Sequence, residues 1–208
     1  MDILNLLQGP MKDVIIKQVG QQFGIKDTQK ANTAVDGVVA MLMGAISKNA
    51  STPEGAESLN KALERDHDGS ILDNLSGFLS GSMQPTNPNT ANGAGILNHL
   101  LGNQQENAAA SLSKASGIDT ATILKMMMTY APIVLGMLGK AKAEPATQQQ
   151  GTSGLLDFIK GATQTVNQQP SNQNLLTQLL DKDGDGNVID DITDMGLKSI
   201  FGKFLGQK

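Results

Sequence analysis

The feature that most constrains the fold is a pair of long apolar stretches that share the same polar opening. The first stretch, GIKDTQKANTAVDGVVAMLMGAISK, begins at Gly24, and the second, GIDTATILKMMMTYAPIVLGMLGK, begins at Gly117. When one residue is gapped after the Gly-Ile pair, Asp27 aligns with Asp119. Apolar runs of this length, without a continuous polar face, indicate helices that are buried on most sides. We therefore predict an internal repeat with two buried core helices.

The remaining sequence predicts more helices and no strand. No segment alternates apolar and polar residues over the length of a strand, whereas helical spacing recurs outside the polar joints. A short amphipathic unit recurs as DILNLL, SILDNL, GILNHLL, SGLLDFI and QNLLTQLL. Such units cannot bury their apolar faces alone, so they must dock on the core helices or on another chain. The predicted fold class is all-α, a multihelical array with two repeated core helices and several short amphipathic helices.

Two helix starts are well marked in the first half of the chain. After the first core helix, predicted from about residue 28 to residue 48, Thr52 and Pro53 offer a hydroxyl cap and a first-turn proline. The helix that begins there is predicted to stop at the DHDG sequence. Ser70 and Asp73 then have capping-box spacing, which predicts another helix from Ser70.

Two polar joints, GSMQPTNPNTANGAG and KAKAEPATQQQGTS, divide the chain. Their Gly, Pro, Asn, Thr and Gln content is typical of flexible connections between domains. The predicted organisation is a first helical repeat at 1–82, a linker at 83–95, a second repeat at 96–140, a linker at 141–153, and C-terminal short helices with a calcium-type helix-loop-helix at 154–208.

Composition excludes several function classes. Arg65 is the only arginine in the chain, and nucleic-acid recognition relies on guanidinium groups and a basic patch, so nucleic acid is not an expected partner. The absence of cysteine excludes disulfides, thiolate catalysis and cysteine-ligated zinc. The first apolar run is too short for a signal peptide. The longest uncharged apolar stretch, residues 126–139, is shorter than the roughly 20 residues that span a bilayer. We expect a cytoplasmic protein and do not expect a membrane as its partner.

The strongest chemical motif is the sequence DKDGDGNV near the C-terminus. Calcium prefers several oxygen ligands, and aspartates at alternating positions before a glycine allow a short loop to surround it. Asp181, Asp183 and Asp185 occupy the first, third and fifth positions, and the Asn187 carbonyl is the expected main-chain ligand. An isoleucine occupies the twelfth position, where an EF-hand has glutamate, so Asp191 is the predicted closing ligand, as in a shortened or dockerin-like loop. The predicted cofactor is Ca²⁺.

The alternative interpretation is that the same aspartates form an Asx turn and a helix cap without metal. The sequence DHDGSILDNL, from Asp66, aligns with DGDGNVIDDI, from Asp183, with Glu64 in the place of Asp181. Since the framework recurs with poorer ligands, the turn itself has a structural role. For Glu64, Asp66 and Asp68 we favour the cap interpretation.

No grouping of residues predicts catalysis. His67 and His99 are the only histidines, and no serine, threonine or lysine has a recognisable base beside it in the sequence. A lone histidine is more often a packing or solvent-exposed residue than a catalytic one, and the helical pattern places His99 at a surface or interface. The methionine clusters are interpreted as core residues rather than as a binding groove. The protein is therefore predicted to be non-enzymatic.

The chain resembles a bacterial family known as domain of unknown function 937. The strings that carry the resemblance are MDILNLLQG, FGIKDTQKANTAVDGVVAMLMGAISK, DHDGSILDNLSGF, GILNHLLG and GIDTATILKMMMTYAPIVLGMLGK, which together cover roughly residues 1–140. The calcium-like C-terminal element resembles an appendage to such proteins. The resemblance implies an all-helical, cytoplasmic bacterial protein without an assigned activity, so no functional residues carry over.

These observations favour a non-enzymatic interaction or structural protein. Its short amphipathic helices would contact a protein partner or a second copy of the chain, and a calcium loop would stabilise its C-terminal part. A calcium-responsive binding module, in which metal moves the apolar stripe at 197–205, is the alternative. A helical protein that inserts residues 38–46 and 126–138 into a membrane is a third hypothesis.

Overall fold

The computed structural model describes residues 10–144, 147 and 151–167, and these residues form helices without any strand. This confirms the predicted all-α fold. The α-helices are α1 (Pro10–Phe23), α2 (Thr28–Asn49), α3 (Pro53–Arg65), α4 (Leu75–Leu79), α5 (Gly93–Leu101), α6 (Gln105–Ser116), α7 (Thr120–Ala143) and α8 (Gly151–Asn167). Short 3₁₀ helices lie at Ser70–Asn74, Pro88–Ala91 and Gly102–Gln104.

The two long helices α2 and α7 pack against each other in the middle of the protein. The C-terminal half of α2 and most of α7 are buried, and their buried residues include Met41, Leu42, Met126 and Met127. The predicted burial of both stretches is thus confirmed, and the interpretation of these methionines as core residues is confirmed with it. The relation of the two halves as repeats stays a prediction.

Both core helices begin with the same local geometry. Gly24 and Gly117 have left-handed φ values of 70° and 67°, which a residue with a side chain rarely adopts. Shortly after each glycine, Asp27 and Asp119 act as N-caps, and each accepts a hydrogen bond at 2.9 Å from a backbone N–H in the first turn of its helix. The glycines reverse the chain and the aspartates start the helices, because a carboxylate satisfies N–H groups that have no intrahelical partner.

The other helices surround this central pair. Helix α1 packs on α2, α6 packs on both α2 and α7, α5 packs mainly on α7, and α8 packs mainly on α2. One contiguous hydrophobic core contains residues from both predicted halves and from α8, among them Val19, Leu42, Leu97, Leu138 and Ile159. The predicted linkers at 83–95 and 141–153 each include helical residues, at Pro88–Ala91 and at the ends of α7 and α8.

Of the two predicted helix starts, the one at Thr52 is confirmed and the one at Ser70 is wrong. Helix α3 begins as predicted, with the Thr52 hydroxyl accepting the Gly55 N–H at 3.1 Å. The predicted capping box at Ser70 and Asp73 was wrong. The cap position belongs to Gly69, which has no side chain that could cap, and the helix that follows it is a 3₁₀ helix. The α-helix starts only at Leu75.

Among the described helices, only α7 is long and apolar enough to cross a membrane. Its most apolar 18-residue window has a mean hydropathy of 1.5, and 67% of that window is buried inside the protein. Burial of this extent is what a central helix of a bundle requires. The apolar character of α7 is therefore explained by its packing within this fold.

Candidate functional site

The polar residues that the fold brings together lie around a turn at residues 66–69, which we call the aspartate turn. This turn follows α3 and lies against α7 at two glycines spaced three residues apart, Gly136 and Gly139. A Cβ atom on Gly139 would overlap the backbone carbonyl of His67, and a Cβ atom on Gly136 would come within 2.6 Å of the Ile71 side chain. The two glycines therefore form a notch in α7 that admits the aspartate turn.

Asp66 connects this turn to the polar segment that precedes α5. Its carboxylate accepts hydrogen bonds from Arg65 at 2.7 and 3.0 Å, from Asn87 at 3.0 Å and from Asn89 at 3.2 Å. Its backbone carbonyl accepts the buried Thr90 hydroxyl at 2.6 Å. The hydrogen bonds from Arg65 and the two amides hold the pKa of Asp66 well below its ordinary range. A carboxylate with these partners joins two parts of the chain and is not available as a general base.

The cap interpretation of the aspartate turn holds for one residue of three. Asp68 accepts the Ser70 backbone N–H at 2.9 Å, as an Asx turn does. Glu64, by contrast, forms an ion pair of 2.6 Å with Lys142 at the end of α7, and this contact lowers the pKa of Glu64. For Glu64 and Asp66 the prediction was wrong, because both side chains bind groups on other elements instead of the turn.

His67 is 4% exposed, and burial lowers the pKa of its imidazole. Its Nδ1 atom and the hydroxyl of Tyr130 are the buried side-chain polar atoms that lack a hydrogen-bond partner in the described part of the chain. The packing role expected for a lone histidine fits this position. His99, on α5, is exposed, as the helical pattern predicted.

Both histidines line one cleft of about 380 Å³, which we call the histidine cleft. It lies between α3 and α5, and Asn49 of α2, which also lines it, donates a hydrogen bond of 3.0 Å to the Leu100 carbonyl. Its apolar lining is aliphatic, and its polar lining includes both buried and exposed side chains. The aliphatic side chains that line it are Ile46, Leu59, Ile96, Leu100 and Leu135.

A second cleft, of about 700 Å³, is lined by α1, by α4 and the turn after it, by the start of α5 and by α7, and we call it the amide cleft. No lining residue is charged. The lining side chains that can form hydrogen bonds are Gln18, Gln21, Gln22, Ser80, Asn92 and Thr129. The two clefts meet at Asn92, which lines both and caps α5 by accepting the Gly95 N–H at 3.0 Å.

The predicted calcium ligands Asp181, Asp183, Asp185, Asn187 and Asp191 lie outside the described residues. Within the described ranges, no three His, Asp or Glu side chains are placed to hold a metal ion. The calcium loop therefore stays a prediction.

Several residues of the observed site were not predicted from the sequence. Asn87 and Asn89 belong to a segment interpreted as a flexible joint, although its amides bind Asp66. A signal was present in the spacing of Gly136 and Gly139, because glycines three apart lie on one helix face and permit a close approach there.

A family model described as bacterial protein of unknown function (DUF937) matches residues 5–141. The chain belongs to this family. The DUF937 match includes α2, all of α7 except its last two residues, the aspartate turn and every residue that lines the two clefts, whereas α8 follows it. No curated protein and no solved structure matches the chain.

Proposed function

We propose that this protein is a non-enzymatic interaction protein whose histidine cleft binds an amphipathic helix of another polypeptide. The observation that carries the proposal is the lining of the cleft. Leu59, Ile96 and Leu100 are each partly buried and present aliphatic surface between α3 and α5. An apolar groove between two helices, with polar residues at its rim, is a common way to receive the apolar face of a third helix.

The charges at the cleft favour a particular kind of helix. Arg65 lines the cleft and is exposed over 78% of its side chain; its Nε and one Nη bind Asp66, so its other guanidinium N–H groups can donate to a ligand. A helix that carries paired aliphatic residues and an acidic residue would complement both the apolar lining and these N–H donors. The chain itself contains such a sequence, MDILNLLQG, whose one charged side chain is Asp2. A second copy of the chain is therefore the partner that we propose.

The role of Asp66 supports binding rather than catalysis. Asp66 is the carboxylate of the turn whose pKa is lowered most. It accepts hydrogen bonds from N–H donors of Arg65, Asn87 and Asn89, and these partners are structural. A catalytic carboxylate needs a free lone pair directed at a substrate.

The test is the binding of a fluorescent MDILNLLQG peptide to the whole protein, measured by anisotropy, together with the molar mass of the protein from light scattering. Ser58 lines the cleft, is exposed and forms no hydrogen bond with the described residues, so Ser58→Tyr should fill the cleft and leave the fold intact. Asn98→Tyr is the matched control, because Asn98 is exposed on α5 but does not line the cleft. Peptide binding and self-association should be lost in the first variant and kept in the second. A monomeric protein that does not bind the peptide would contradict the proposal.

A calcium-responsive module is the second candidate, and the motif that favours it is the triple of Asp181, Asp183 and Asp185. A ligand at about 100 times its dissociation constant stabilises a protein by roughly 2.7 kcal/mol. Millimolar calcium should therefore raise the melting temperature above that in chelator, and Asp183→Ala should abolish the rise. Asp157→Ala, on exposed α8 surface, is the control. Equal melting temperatures with and without calcium would leave DKDGDG as a turn without metal.

A further inference from the structure

The amide cleft differs from the histidine cleft in that its lining has no ionisable side chain. An ionic ligand that entered it would lose hydration without gaining an opposite charge, which is unfavourable. Glutamine and asparagine amides each offer two donated hydrogen bonds and an acceptor oxygen. The chemistry of the lining therefore selects a neutral ligand that is rich in hydrogen-bonding groups.

The amides that face this cleft include free ones. Gln21 and Gln22 are exposed on α1, and their side chains form no hydrogen bond with the described residues. Gln18 differs, because its amide donates to the Ser76 carbonyl and hydroxyl at 3.2 Å and so fixes α1 to α4. The cleft therefore has one amide, Gln18, that is bonded to α4, and at the next turn of the same helix it has amides that no described residue occupies.

The apolar part of the lining is equally specific. Met128 is 36% exposed and is the large hydrophobic residue that stands out as exposed in the described part of the chain. Phe78, which is partly buried, provides an aromatic ring in the same cleft. A pyranose ring has hydroxyl groups at its edge and an apolar C–H face, so it matches amides beside an aromatic ring and a thioether.

We propose that the amide cleft binds a neutral oligosaccharide, with Gln21, Gln22 and Asn92 bonded to its hydroxyl groups and with Phe78 and Met128 against its C–H face. The volume of about 700 Å³ lies within the usual range for small-ligand sites. An extended peptide is a poorer match, because the described residues include no strand edge to which it could add. This proposal concerns a different cleft from the proposed function and does not depend on it.

The test is a titration of the full chain, labelled with ¹³C at its methionine methyl groups, with cellotriose, maltotriose and chitotriose in turn. The Met128 signal is assigned with Met128→Leu. We expect a saturable shift of this signal with at least one sugar. Gln21→Ala combined with Gln22→Ala should weaken binding at least about tenfold, equivalent to roughly 1.4 kcal/mol. Gln29→Ala, an exposed glutamine of α2 outside the cleft, should leave the affinity unchanged.

A second variant tests the neutrality of the site. Gln21→Glu with Gln22→Glu keeps the size of both side chains and places carboxylates in the cleft, so it should also weaken sugar binding. Because both positions are exposed, these variants should keep the wild-type circular dichroism. Absence of a Met128 shift with every sugar, or a shift that both pairs of substitutions leave intact, would overturn the proposal. Ser58→Tyr, in the other cleft, should not affect it.

Discussion

The two core helices begin alike and end in different surroundings. Asp27 and Asp119 cap α2 and α7, each after a left-handed glycine, and each accepts the backbone N–H three residues further on; Asp27 also accepts the N–H of Gln29. Toward its C-terminus α7 carries a notch at Gly136 and Gly139, into which the aspartate turn packs. Helix α8, whose Leu155 and Ile159 are buried, packs mainly on α2 and only slightly on α7. Helix starts thus reflect local chemistry, whereas the elements that pack on a helix depend on the whole chain.

The largest expected effect comes from filling the notch. Gly139→Ala places a methyl group where the His67 carbonyl lies, and this contact involves backbone that no rotamer change can move. We expect a loss of roughly 3 kcal/mol or more in the free energy of unfolding, at the upper end for overpacking. Chemical denaturation followed by circular dichroism measures it.

Two other glycines serve as comparisons for this variant. Gly161→Ala in α8 places its methyl group more than 4 Å from any atom of the described residues, so it should stabilise the protein by roughly 0.5–1 kcal/mol through its effect on the unfolded chain. Gly136→Ala should lie between the two, because the atom that it approaches belongs to the Ile71 side chain. Equal stabilities of the variants at Gly139 and Gly161 would show that the notch does not hold the turn.

The next largest effect should come from Asp66. Asp66→Ala removes the acceptor for Arg65, Asn87 and Asn89, so we expect a loss of roughly 2–3 kcal/mol. Since these bonds lower the pKa of Asp66 below the ordinary 3.8, their stabilisation is present above that pH and is lost as pH falls through the pKa of the folded state.

Asp68→Ala is the matched control for this prediction. Asp68 is exposed and accepts one bond within its own turn, from Ser70, so its removal should cost about 1 kcal/mol or less. Denaturation curves of the two variants at neutral pH decide the matter. A loss at Asp66 no greater than that at Asp68 would mean that the segment before α5 is held by other contacts.

The sequence predicted the helices α2, α3 and α7 but not the contacts that the helices make with one another. Thr52 and Pro53 carry their own start signal, so α3 was placed correctly, and the apolar runs of α2 and α7 required burial. The hydrogen bonds from Asn87 and Asn89 to Asp66 join residues more than 20 positions apart in the sequence, and nothing in the local sequence of either segment specifies that they meet. The clefts have the same origin, since each is lined by several helices that only the tertiary fold brings together.

A smaller effect tests whether the two helix starts are equivalent. Asp27→Ala and Asp119→Ala each remove one N-cap carboxylate, and we expect each to lower the free energy of unfolding by less than Asp66→Ala does. Denaturation of the single variants and of the double variant measures both values and their sum, with Asp157→Ala on α8 as an exposed control. Additive and similar losses would support two equivalent starts. If only one of the two substitutions lowers the free energy of unfolding, the two helix starts are alike in local geometry but not in their contribution to stability.

The last expected effect is a pH dependence of stability, which arises at His67 on one side of the notch. Burial lowers the pKa of His67 from its ordinary 6.5, although the neighbouring carboxylates of Asp66 and Asp68 oppose this change. The unfolded chain therefore binds more protons than the folded protein just below that pH, and stability should fall as pH decreases, by at most about 1.4 kcal/mol per pH unit. The slope should reach its limit below the unfolded pKa and end once pH falls below the pKa of the folded state.

Denaturation at about pH 7.5 and about pH 5.5 separates this effect from the titration of the carboxylates, whose ordinary pKa values lie lower. His67→Gln should remove the difference, while His99→Gln, at an exposed position on α5, should keep it. The same pH dependence in wild type and His67→Gln would mean that the folded protein binds a proton at His67 as readily as the unfolded chain does, and that the imidazole is better hydrated than its burial indicates.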